Sequence, residues 1–94
     1  MSELAVKKRL ARAKVKAVVY FRKINYAIID SDNKTFCFIA SRRREMRLVR
    51  VVVDRITDED VHAARSVDVP DGCTREIFCQ KRSGHEIREI EIGK

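Results

Sequence analysis

Tryptophan is absent from this 94-residue chain, and glycine (3), proline (1), cysteine (3) and histidine (2) are scarce. So few breakers, with 45 % apolar and 37 % charged residues, exclude a collagen-like, low-complexity or disordered chain. Cys37, Cys73 and Cys79 are odd in number and spaced unlike zinc ligands, which sets aside a disulfide framework and leaves reduced, partly buried thiols. His62 and His85 have no Cys or carboxylate at a zinc spacing and read as surface residues. There is no glycine-rich loop to cradle a phosphate, and no Ser or Cys nucleophile with an assignable base. Apolar runs fall well short of the roughly 20 residues that span a bilayer, and the N-terminus lacks the apolar core of a secretory leader. These absences predict one domain over residues 1–94, cytoplasmic and without a membrane partner.

Acidic residues are nearly missing from one end. Residues 1–23 hold eight Lys or Arg against the single acid Glu3, while the remaining 71 residues balance 13 against 13. The net charge of +7 therefore sits on one segment, where it makes a local field suited to a polyanion.

Periodicity orders the rest. Residues 3–14 predict a helix, with Val6, Leu10 and Ala13 on one stripe, Ser2 as its cap and Glu3 four residues before Lys7. Lys16–Tyr20 and Ile24–Asp30 are strand-like, separated by Arg22 and Lys23. After the turn residues 30–34, Thr35–Ser41 predicts a strand apolar on both faces and so placed mid-sheet. Arg42, Arg43 and Arg44 interrupt it, and Met46–Val53 resumes an apolar stretch. Thr57 and Asp60 make an approximate capping box, with Ile56 and Val61 as its hydrophobic staple, for a helix from Asp58 to about Ser66. Pro70 and Asp71-Gly72 then lead into strands at Arg75–Gln80 and Glu86–Ile92. A helix between strands of one sheet points to an α/β fold, an α+β mixed sheet with the second helix on one face.

The element order, with Asn25–Asp30 and Phe36–Arg42 taken as second and third strands, resembles the αβββαβ core of the PD-(D/E)XK, or restriction-endonuclease-like, superfamily, with an extra C-terminal strand. The stretch Val69–Cys79 is similar to the post-helix strand of small phage and archaeal Holliday-junction-resolvase-like members. The resemblance implies an acid on the second strand and an acid-x-Lys on the third, which hold Mg²⁺ and activate water. Here Asn25 or Tyr26, Phe38 and Ala40 stand at those positions, and neither Phe nor Ala binds a metal or moves a proton. It therefore implies a relative without catalytic residues. An alternative is an active Mg²⁺ endonuclease using Asp30, Asp32 and Glu45, with Arg47 for the Lys. Against it, Asp is a common turn residue, Glu45 lies among arginines, and Arg does not shed its proton.

Two basic groups remain. Lys7, Lys8, Arg9, Arg12 and Lys14 surround the first helix, and Arg42, Arg43, Arg44 and Arg47 lie in and after the Arg run. A charge run ordinarily forms a solvated face, but such a helix interleaves Glu with Lys, and this one does not. In a strand, Arg42 and Arg44 would point away from Arg43. The aromatics Tyr20, Phe21, Tyr26, Phe36, Phe38 and Phe78 are needed for the core of so small a domain, so phosphate contact is favoured over base stacking. The expectation is a nucleic-acid-binding protein, DNA ahead of RNA, acting through those nine cations, with no catalytic residue, metal or cofactor. A homodimer, or an assembly subunit with an acidic partner, is the further alternative.

Overall fold

The computed structural model describes residues 3–91. Along the chain they form helix α1 (Glu3–Lys23), strands β1 (Ala27–Asp30), β2 (Phe38–Arg42) and β3 (Glu45–Val53), helix α2 (Asp58–Arg65), and strands β4 (Cys73–Gln80) and β5 (His85–Ile90). The expected Ser2 cap and the Ile92 end of the last strand lie outside the described residues.

The first helix is longer than its sequence pattern predicts. Lys16–Tyr20, expected as a strand, is helical to Lys23, because Ala13, Ala17 and Phe21 recur every four residues and are fully enclosed by the sheet. No breaker intervenes before Asn25. There the helix ends in a Schellman motif: Asn25 takes φ 71°, its N–H donates to the Arg22 carbonyl, and Tyr26 N–H donates to the Phe21 carbonyl. The rings of Phe21 and Tyr26 meet edge to face at 5.6 Å, supplying the hydrophobic contact that accompanies this motif.

The sheet is mixed, in the order β1-β2-β3-β4-β5. Only β3 and β4 are parallel; the other neighbouring pairs are antiparallel. The parallel pair is joined through α2, as a same-sheet parallel connection requires. The helix start is as expected from sequence: Thr57 Oγ1 accepts from Asp60 N–H at 3.2 Å, and the Asp60 carboxylate accepts from Thr57 N–H at 3.0 Å. With 16–20 helical, the hairpin expected as second and third strands is the pair β1 and β2, with Ala27 opposite Ser41 and Asp30 opposite Phe38. Phe36 and Cys37 precede β2, and the central strand is β3.

Each face of the sheet carries one helix. The front face packs Phe38, Ala40, Val49, Val51 and Phe78 under α1. The back face packs Phe36, Ile77 and Ile90 with Ala64 of α2. Because α2 has eight residues and lies against β4 and β5, Ile29 on the back of β1 stays 45 % exposed. α1 runs opposite to β3: Arg9 near its start meets Asp54 just past the end of β3, and Tyr26 past its end meets Glu45 at the start of β3.

Candidate nucleic-acid interface

The helix of 3.6 residues per turn sorts the basic residues of α1 onto different sides. Arg9, Arg12 and Lys16 fall on the flank facing the ends of β3 and β4. Lys7 and Lys14 fall on the opposite flank, where Lys7 lies 3.9 Å from Glu3, and Lys8 points outward. Facing the first flank is the β4–β5 turn, whose Lys81 N–H donates to the Gly84 carbonyl. Between them runs a groove of about 240 Å³, floored by Ala13, Val53 and Gln80 and walled by Arg9, Arg12 and Lys16 on one side and Lys81 and Arg82 on the other.

Two of these cations have carboxylate partners at the groove's rim: Arg9 with Asp54 at 2.6 Å and Lys81 with Glu86 at 3.1 Å. Among the described residues, Arg12, Lys16 and Arg82 make no ion pair. Lys16, Lys81 and Arg82 were not singled out by the sequence. Lys16 sits in a segment that reads as strand, and Lys81 and Arg82 lie in an ordinary turn, far along the chain from the basic segment.

The arginines of the second group are elsewhere. β3 spans nine residues, roughly 30 Å, and Arg42, Arg43, Arg44 and Arg47 cluster at its start while the groove lies past its end. Nor do they alternate as strand residues: Arg43, at φ 54°, and Arg44 form the two-residue turn between β2 and β3, and Arg42 pairs in register with Glu45.

Arg42 and Arg47 are committed to the protein itself. The Tyr26 hydroxyl donates to Glu45 Oε2 at 2.5 Å, and that carboxylate lies 3.5 Å from Arg42 and 3.6 Å from Arg47. Both guanidinium groups stack on the Tyr26 ring, 4.4 and 5.1 Å from its centroid. Arg47 also donates to Glu76 at 3.2 Å, and Glu76 is only 3 % exposed. The Tyr26 hydrogen bond holds the Glu45 carboxyl below its ordinary pKa, while burial first and the bond to Glu45 second push the Tyr26 phenol up. Burial also pushes the Glu76 carboxyl up, against the pull of Arg47. This is a structural network facing a cleft of about 360 Å³.

The acids of the alternative metal site are not brought together. Asp30 pairs with Phe38 at one end of β2 and Glu45 with Arg42 at the other. Among the described residues no three His, Cys, Asp or Glu side chains are grouped as metal ligands. The thiols are all free, with Cys79 buried and its pKa raised by that burial. Among the described residues no helix is long and apolar enough to cross a membrane. Compared with protein-family models, curated proteins and solved structures, the chain matches none of them.

Proposed function

We propose that this protein binds nucleic acid through the groove between α1 and the β4–β5 turn, on a nuclease-like frame that does not cut. The observation that carries the reading is the convergence of five cations from two elements far apart in sequence on one concave strip, three of them without a carboxylate partner among the described residues. Long cationic side chains on two walls suit the phosphates of a backbone, which is recognised by charge and position rather than by sequence.

The element order supports the restriction-endonuclease-like frame: helix, three strands, helix, strand, with β5 added. As folded, the second strand, Phe38–Arg42, carries no acid, and the acid of the third, Glu45, is followed two residues later by Arg47. Arg stays protonated and is itself held by Glu76, so this pair does not supply the metal and proton chemistry of the family. The cytoplasm, where nucleic acid is abundant, is the compartment that goes with this reading.

The test is fluorescence anisotropy of labelled DNA across a salt series with and without Mg²⁺, followed by a denaturing gel of the same samples. The expected result is binding that weakens steeply with salt, with intact DNA. Metal-dependent cleavage would overturn the non-cutting reading, and no binding at low salt would overturn the function.

A second reading concerns assembly. Ile29 and Met46 are exposed on the back of the sheet beyond α2, beside half-buried Ile39. A second copy could cover them while leaving both basic grooves outward. Light scattering of the purified protein tests this, and a monomer at high concentration would end it.

A further inference from the structure

Beyond Lys16 and Gly84, the two elements that wall the groove carry an aromatic cluster. One turn along α1 from Lys16 is Tyr20, and next to Gly84 in the β4–β5 turn is His85, paired in register with Gln80 of the groove floor. The His85 imidazole lies flat on Phe78, with centroids 4.7 Å apart and planes inclined by 19°, and meets Tyr20 edge-on at 4.7 Å. Phe78 is itself fixed: it is 1 % exposed and its ring also adjoins Tyr20 at 6.0 Å. The imidazole is thus held against two rings, while the residue as a whole remains exposed.

Building on the proposed function, we infer that the groove takes single-stranded nucleic acid, with one phosphate row between the two basic walls and an unpaired base stacked on the outer face of His85. Two independent features support this. The groove, about 240 Å³ in volume, has cations on both walls, so one strand's backbone is gripped from two sides. A flat ring at its end, held in place by the core, offers a face that any base can cover, which a duplex with its bases paired and stacked cannot use. A cationic track joined to a stacking platform is how proteins hold single strands without reading sequence. Gly84 fits the same surface: at φ +90° it turns the chain just before His85, and nothing lies within 4 Å of where its Cβ would be, so the turn leaves the approach open.

The experiment compares a labelled single strand of mixed sequence with the same strand annealed to its complement, for the parent protein and for His85→Ala and His85→Phe. Circular dichroism and thermal melts confirm that the variants are folded. The expected result is tighter binding of the single strand, weakened about tenfold by His85→Ala and restored by His85→Phe, which keeps a stackable ring without the imidazole's polar nitrogens. Equal or tighter duplex binding, or single-strand binding indifferent to His85→Ala, would overturn this inference and leave the groove as a general phosphate site. Absence of binding to both probes at low salt would overturn the proposed function and this inference with it. Should His85→Ala melt early, His85→Phe alone decides: loss of single-strand preference in that folded variant counts against stacking.

Discussion

Arg9 Nη2 lies 2.6 Å from Asp54 Oδ1 at the end of the basic groove. Asp54 follows β3 with φ 72°, and its N–H donates to the Gln80 carbonyl, so the backbone holds this carboxylate beside Arg9, where under the proposed function it competes with a phosphate. Both side chains are substantially exposed, so the pair adds little to stability, within about 1 kcal/mol. Asp54→Asn keeps a residue that tolerates the left-handed region and removes the competing charge. The expected outcome is an affinity for DNA raised about two- to fivefold with little change in melting temperature, on the scale of one weak exposed charge pair. Anisotropy and a thermal melt check it.

Neutralising Arg12 and Lys16 together should flatten the salt dependence of binding. Each phosphate contact contributes about 0.9 to the slope of log K against log salt for duplex DNA and about 0.7 for single strands, so the double Ala variant should lose about 1.4 to 1.8 from that slope. The same change at Lys7 and Lys14, on the far flank of α1, should leave the slope within about 0.5 of the parent. Equal effects from both pairs would show that the whole helix, rather than the groove, carries binding.

Removing Arg47 should act on stability. Glu76 is 3 % exposed and its carboxyl group is paired chiefly with Arg47, with Thr74 Oγ1 donating to its other oxygen at 3.3 Å. Arg47→Ala leaves that carboxylate buried with its main partner gone, a loss of about 2–3 kcal/mol after allowing for the partial exposure of Arg47. The Glu76 pKa is already raised in the folded state, so protonation favours the fold. The defect should therefore shrink as pH falls through the carboxylate range and be largest near neutrality. Thermal melts against pH check this, and Glu76→Gln should restore much of what Arg47→Ala loses.

The start of α2 has the opposite pH sign. Burial alone would raise the Asp60 pKa, but the backbone N–H and hydroxyl of Thr57, together with Arg50 at 3.0 Å, hold it below its ordinary value. A depressed folded pKa contributes stability that is present above the unfolded value and is lost as pH falls below the usual carboxylate range. Thr57→Ala should cost about 1 kcal/mol at neutral pH through loss of the cap. Asp60→Asn should also make the remaining stability less sensitive to acid. Urea unfolding at neutral and acidic pH measures both.

Signals confined to a few neighbouring residues were legible in the chain. The Thr57–Asp60 box, the Asp71-Gly72 turn with Gly72 at φ 87°, and β3 through its run of apolar residues all fold as their sequences predict. The length of α1 was not. Val15, Val18, Val19 and Tyr20 have the side chains of a strand, and they became helical because the enclosed positions, Ala13, Ala17 and Phe21, lie four residues apart. Local propensity differs by tenths of a kcal/mol between these states, and burial of Phe21 outweighs it.

By itself the sequence determined that the charge of +7 resides in one basic segment, that a helix occurs in it, and that a mixed α+β sheet follows. Which cations lie together was decided by tertiary structure. Helical phase sent Lys7 and Lys14 away from Arg12 and Lys16, and internal carboxylates claimed Arg42 and Arg47. The parallel pairing of β3 with β4 carried Lys81 and Arg82 to the flank formed by Arg9, Arg12 and Lys16, more than sixty residues earlier in the chain. Charge is a property of composition, but a binding surface needs cations within a Debye length of one another, and only the packed chain sets those distances.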